Sequence, residues 1–182
     1  MIRLFVALEI PEEAKDKLFE IRRTVCDDEL NFRWEKPEKL HVTLKFIGDV
    51  KEEILPAIRS ELEYLTEYPQ IEGMIENFGF FFRNGIANIL WASLNLGSGI
   101  IEIIEMLENS FIKYGIQKEK RKFKPHLTLL RIKKDPGQDF INKFKEFNFE
   151  PIKFQSDKII LFKSELSKSG SKYFEIKTYH LN

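Results

Sequence analysis

Two tetrapeptides of the form His-x-Thr-Leu stand out. They are His41-Val42-Thr43-Leu44 within "LHVTLKFIGD" and His126-Leu127-Thr128-Leu129 within "PHLTLLRIKK". The chain has three histidines, so two of them share one context. In a strand, residues i and i+2 face the same way, ~7 Å apart. His41 and Thr43 therefore share a polar face, as do His126 and Thr128, while the leucines and Val42 face a core. Imidazole takes up or gives a proton near neutral pH. Two of them permit concerted work, one activating a nucleophile and the other protonating a leaving group. Hydroxyls donate well to phosphate oxygens. Such a set suits in-line displacement at a phosphodiester and needs neither metal nor cofactor.

A plainer reading competes. A strand histidine is commonly a packed or surface residue, and threonine is a good strand former in its own right. A duplication kept only for architecture also preserves both motifs. His180 lies in no His-x-Thr motif, has no counterpart in the repeat, and reads as surface or packing.

The elements that position the motifs repeat as well. "RLFVALEI" alternates, with Leu4, Val6, Leu8 and Ile10 on one face. Pro11 then opens a helix whose stripe is Ala14, Leu18, Ile21 and Val25. A shift of 86 positions finds "LWASLNL" and a second stripe of Ile100, Ile104, Leu107 and Phe111. The histidines follow at a shift of 85. Helical stretches are expected again at 51–65 and 138–147. Strand pairs are expected at 71–82 and 87–96, joined at "RNG", and at 152–163 and 172–181, joined across "SELSKSGS". The fold expected is α+β: a duplicated bilobal domain over 1–182, two antiparallel sheets around a central groove, helices outside. A pseudo-two-fold axis then sets His41 across the groove from His126.

Composition narrows the classes. No apolar run approaches the ~20 residues needed to cross a bilayer, and the start lacks the order of a signal peptide. Cys26 is the only cysteine, which excludes an internal disulfide and a cysteine-built metal site. A cytoplasmic monomer is expected. The formal net charge is zero, so no global field holds a long nucleic acid. A local patch still suits a short end or a single phosphate.

With these residues in view, the chain resembles the 2H phosphoesterase superfamily, which is named for two His-x-Thr/Ser-x motifs. Within it the chain is similar to the RNA 2′,3′-cyclic phosphodiesterases, historically 2′-5′ RNA ligases. "RLFVALEIP", "RWEKPEKLHVTLKFIGDV", "LWASL", "FKPHLTLLR" and "LFKSELSKSGSKY" carry the resemblance over nearly the whole length. It implies opening of a 2′,3′-cyclic phosphate to a 2′-phosphate on RNA ends or small nucleotides. It also implies His41 as proton donor, His126 as proton acceptor, and no metal or cofactor. Thr43 and Thr128 match the phosphate-binding hydroxyls, and Arg131 an arginine that often follows the second motif. Regular strand counting turns Arg131 toward the core, unless a bulge re-aims it.

Three further stretches carry expectations. The basic run 118–125 either guides an RNA backbone or is a solvated loop. Residues 164–172 either close over the groove or form an ordinary hairpin loop. Phe5 and Trp91, equivalent under the 86-residue shift, either stack bases in the groove or fill the seam between lobes. "RW" at 33–34 braces the loop before His41. The competing functions are a 2′-5′ RNA ligase or 2′-5′ phosphodiesterase, a non-catalytic RNA-end binder, and a metal hydrolase. The last is disfavoured by the lack of an HExxH or acidic cluster.

Overall fold

A computed structural model describes residues 1–26, 32–167 and 170–182. The chain runs β1 (Ile2–Glu9), α1 (Glu12–Val25), β2 (His41–Val50), α2 (Leu55–Glu61), β3 (Ile71–Arg83), β4 (Ile86–Leu96), α3 (Gly99–Ser110), β5 (His126–Arg131), α4 (Gln138–Glu146), β6 (Ile152–Ser156), β7 (Lys158–Ser167) and β8 (Gly170–His180). The strands form two four-stranded antiparallel sheets, ordered β2-β1-β7-β8 and β5-β4-β3-β6. The α+β, two-sheet expectation holds.

The local chemistry explains most boundaries. α1 carries Glu12 and Glu13 in its first turn and Arg22 and Arg23 in its last, matching the helix dipole at both ends. Pro11 sits at the cap rather than at the first helical position. The β3–β4 hairpin closes through Asn84 and Gly85, with φ of 51° and 78° between the paired Arg83 and Ile86. Positive φ at both loop residues defines a type I′ turn, which Asn-Gly favours. The helix expected over 51–65 is broken, with 3-10 turns at Glu52–Ile54 and Glu63–Glu67 on either side of α2.

The sheets do not follow the halves of the chain. The strand expected over 152–163 divides at Asp157: β6 joins β3 in one sheet, and β7 joins β1 in the other. Ser156, 1% exposed, seals the crossover by donating its hydroxyl to the Glu9 carbonyl at 2.6 Å. One sheet thus joins strands from the two ends of the chain, the other is built from the consecutive β3 to β6, and one connected apolar cluster runs through both. The expected loop at 164–172 is mostly ladder, since β7 extends to Ser167 and β8 begins at Gly170. Lys168 and Ser169 of that stretch lie outside the described residues.

Register also corrects the repeat. Glu9, Leu8 and Ala7 pair with His41, Val42 and Thr43; Ser93, Ala92 and Trp91 pair with His126, Leu127 and Thr128. β1 and β4 are therefore related by 84 positions, not 86. Trp91 takes the place of Ala7, and Ile89 that of Phe5. A two-residue slip keeps every side chain on its face, so sequence alternation does not reveal it. The helices shift too. Lys15, Leu18 and Arg22 are buried in α1 where Ile100, Ile103 and Leu107 are buried in α3, whereas Ile21, Val25 and Ile104 are half-buried.

A buried ion pair crosses from β2 to α3. The Lys45 ammonium, with 3% of its side chain exposed, donates to Glu108 at 2.5 Å and to the Gln117 carbonyl at 2.9 Å. Glu108 also accepts the Glu119 backbone N–H at 3.0 Å, fixing the start of the basic run that leads to His126. Removing one partner leaves an uncompensated buried charge. Glu108→Ala is expected to cost about 3 kcal/mol, read as a lower denaturant midpoint at unchanged slope. A loss below about 0.5 kcal/mol would show that water reaches Lys45.

Candidate active site

β2 and β5 are the outer strands of their sheets and approach each other across the molecule. Between them lies a cavity of about 150 Å³ lined by Glu35, Lys39, His41, Thr43, Ile89, His126, Thr128, Arg131 and Tyr173. The two histidines, two threonines and Arg131 singled out in the sequence thus share one groove. A larger hollow of about 630 Å³, lined by residues 46–51, 114–117, Met1 and Ile54, contains none of them.

Both imidazoles are tied down in the same way. His126 Nδ1 lies 2.8 Å from the carbonyl of Lys124. His41 makes the corresponding bond to the backbone of Lys39, one that favours the protonated ring, as a carbonyl acceptor does. A carbonyl can only accept, so in His126 Nδ1 carries the proton and Nε2 presents its lone pair, and the matching Lys39 bond assigns His41 the same tautomer by analogy. The motif is therefore Lys-x-His-x-Thr in both copies, and the lysine two residues upstream supplies the orienting carbonyl. That repeated lysine was visible in the sequence and went unused there.

Under each imidazole lies an aromatic bed. Phe5, Tyr173 and Phe162 stand 5.0, 5.3 and 5.8 Å from His41 between ring centroids. Phe81 and Trp91 stand 5.0 and 6.4 Å from His126. Phe5 and Trp91 are only 4% and 8% exposed. This corrects the expectation that they stack bases: both rings are buried and are occupied in packing the histidines. Trp91 fits because Gly79 faces it, where a Cβ would come within 2.5 Å of the indole. The Lys124 ammonium sits 4.2 Å from the Trp91 ring centroid, and that of Lys39 6.0 Å from Tyr173.

This setting shifts both rings. Burial pushes His41 down to about 4, against the raising effect of the Lys39 carbonyl, and nearby cations add to the depression. Burial lowers His126 as well, with Lys124 and Arg131 contributing. Both shifts favour the neutral imidazole at pH 7 in the free protein.

Arg131 escapes the core through a bulge. Leu90 pairs with Leu130 while Trp91 pairs with Thr128, leaving Leu129 as the extra residue. Leu129 and Leu130 are both buried, and Arg131 turns out to the groove with 59% of its side chain exposed. Its Nε donates to Glu35 at 3.2 Å. The Trp34 bridge to Leu130, and the Glu35 N–H donated to the Leu129 carbonyl at 2.8 Å, lay residues 34–35 along the bulged edge. Trp34 of the "RW" pair is thus a brace. In the basic run, Arg121 pairs with Glu119 at 2.9 Å, and Lys118, Lys120 and Lys122 are exposed. Glu35, Lys39, Phe81, Phe162 and Tyr173 were not assigned roles from sequence, because they reach the site from other elements.

Fold and site define a two-lobed phosphoester-handling protein with paired His-x-Thr strands. The model for "LigT like Phosphoesterase" matches residues 8–89 and again 94–173, and the chain belongs to that family. It is 27% identical over 173 residues to the RNA 2′,3′-cyclic phosphodiesterase of Thermotoga maritima, covering 94% of this chain and 91% of the relative. It is 29% identical to the Methanocaldococcus jannaschii protein of the same name, covering 98% and 100%. The crystal structure of E. coli LigT complexed with 3′-AMP superposes with a TM-score of 0.73 at 23% identity, over 100% and 98% of the two chains. Among the described residues, no helix is long and apolar enough to cross a membrane.

The depressed His41 has a consequence for stability. Unfolded, the ring titrates near 6.5; folded, near 4. Between those values the unfolded chain binds more protons, so stability falls as pH drops from 6.5 to 4 and this contribution is constant below. The expected loss is at most about 3 kcal/mol, less where the ring edge is wet. His41→Asn should flatten that part of the stability–pH curve. An unchanged curve would mean that His41 is not desolvated.

Proposed function

We propose that the chain hydrolyses RNA 2′,3′-cyclic phosphate ends, or small nucleotide cyclic phosphates, to 2′-phosphates, without a metal ion. The observation that carries this reading is the pair of oriented imidazoles and threonine hydroxyls lining one small cavity. Family membership and relatives named as RNA 2′,3′-cyclic phosphodiesterases support it. Residues 1–182 act as one monomeric unit of two pseudo-symmetric lobes.

The proposed chemistry balances within that set. His126 Nε2 takes a proton from water as its oxygen forms a bond to phosphorus. The bond from phosphorus to O3′ breaks, and His41, protonated, gives its proton to O3′. Thr43, Thr128 and Arg131 hold the non-bridging oxygens, where charge grows in the transition state. The substrate itself helps charge the acid. Its negative phosphate favours imidazolium, opposing the burial that depresses His41 in the free protein. Once charged, such a low-pKa imidazolium is a strong donor.

The test uses a cyclic-phosphate-ended oligonucleotide with product ends mapped, in excess chelator. Wild type should yield the 2′-phosphate. His41→Ala and His126→Ala should each lower kcat by ~10²–10⁴, with the double variant well short of the product of the two losses. Thr43→Val and Thr128→Val should each weaken transition-state binding by ~1.5–3 kcal/mol. Activity that vanishes in chelator and returns with zinc or manganese, or near-normal rates in either alanine variant, would overturn the assignment.

A further inference from the structure

A carboxylate sits where an anion is to be bound. Among the described residues lining the groove, Glu35 is the single acid. Its side chain is 20% exposed and is held from both sides, 3.2 Å from Arg131 Nε and 3.8 Å from Lys39 Nζ. Its backbone is pinned to the Leu129 carbonyl at the bulge, which fixes where the side chain starts, and the two cations hold the carboxylate in place. Placed there, it offsets part of the positive potential that Arg131 and Lys39 provide, and any bound phosphate must share Arg131 with it.

The cost to a ligand depends on the ligand's own charge. A phosphodiester, cyclic or open, carries one negative charge. A phosphomonoester carries nearly two above its second pKa of about 6. Repulsion from a fixed carboxylate scales with that charge. The groove therefore penalises a monoester more than a diester of the same shape.

We infer that Glu35 is a charge-state selector: it admits singly charged phosphodiesters, rejects RNA ends bearing a terminal phosphomonoester, and speeds departure of a monoester product. The inference rests on the cyclic-phosphodiesterase reading for its biological sense, but charge selection is measurable by binding alone. Glu35 is a specificity residue and takes no part in bond making.

The experiment is calorimetric binding at pH 8 to wild type, Glu35→Gln and Glu35→Asp. One probe is adenosine 2′-monophosphate, a dianion at that pH. The other is a thymidine dinucleotide, whose single diester carries one charge. Glu35→Gln should tighten the monoester about tenfold, the scale of removing a carboxylate that faces a near-dianion at a partly exposed site. It should tighten the diester no more than about threefold, while Glu35→Asp stays near wild type. If Glu35 only tethers Arg131, both probes change by the same factor, which overturns the inference, as does no gain for the monoester. Hydrolysis of adenosine 2′,3′-cyclic phosphate by wild type is followed in parallel. Absent turnover with the binding ratio intact defeats the proposed reaction and leaves the charge selector standing. Present turnover with equal ratios does the reverse. Thermal unfolding of each variant, expected within a few degrees of wild type for a partly exposed pair, controls for the fold.

Discussion

Each imidazole depends on a bond to the backbone carbonyl two residues before it, from Lys39 to His41 and from Lys124 to His126. In His126 that bond turns Nδ1 inward and leaves Nε2 for the groove, and the repeated spacing assigns His41 the same orientation. It can be this short-ranged because the carbonyl lies in the turn of chain that enters each strand, only two residues before the ring. It matters because the side of each ring turned away from the polar groove rests on aromatic side chains. Phe5, Phe162 and Tyr173 on one side, and Phe81 and Trp91 on the other, remove water from them and hold them neutral. Without the carbonyl, a ring on such a bed has no fixed tautomer. Without the bed, the carbonyl alone would raise the pKa.

The duplication supplies two such strands, and the exchange of strands between sheets holds them opposite each other. β2 and β5 stay at the edges, where one face can remain open. β1 and β4 lie inside, each flanked by a strand on both sides, and their central residues are buried. An edge strand also risks pairing with other chains. On β5 that edge is partly occupied by Trp34 and Glu35, which simultaneously deliver a charged residue to the site. The bulge at Leu129 serves the same end, since one extra residue converts an inward position into the groove-facing Arg131.

Much of this was legible before any coordinates. The paired His-x-Thr motifs, the α+β duplication, the Asn-Gly hairpin and the short fourth helix follow from alternation, helical spacing and turn chemistry, and each is local. What the sequence hid is non-local. A slip of two residues between β1 and β4 leaves both hydrophobic patterns unchanged, so Phe5 and Trp91 looked equivalent although Ile89 and Ala7 are their partners. The buried face of α1 carries Lys15 and Arg22, whose long apolar stems pack as a nonpolar stripe would, and spacing rules count them as solvent-facing. The break at Asp157 changes sheets without a glycine or proline to mark it. Tyr173 and Glu35 reach the groove only through tertiary structure.

The central claim is that two neutral imidazoles present Nε2 lone pairs to one groove. The most direct measurement is the ¹⁵N chemical shift of the ring nitrogens of His41 and His126, followed by NMR from pH 4 to pH 8 and then with a bound phosphodiester. The structure predicts that at pH 7 both rings are neutral with the proton on Nδ1, and that both titrate below 6.5, His41 near 4. It further predicts that the bound anion moves these titrations upward. A proton on Nε2 of either ring, or imidazolium signals at pH 7 in the free protein, would contradict it.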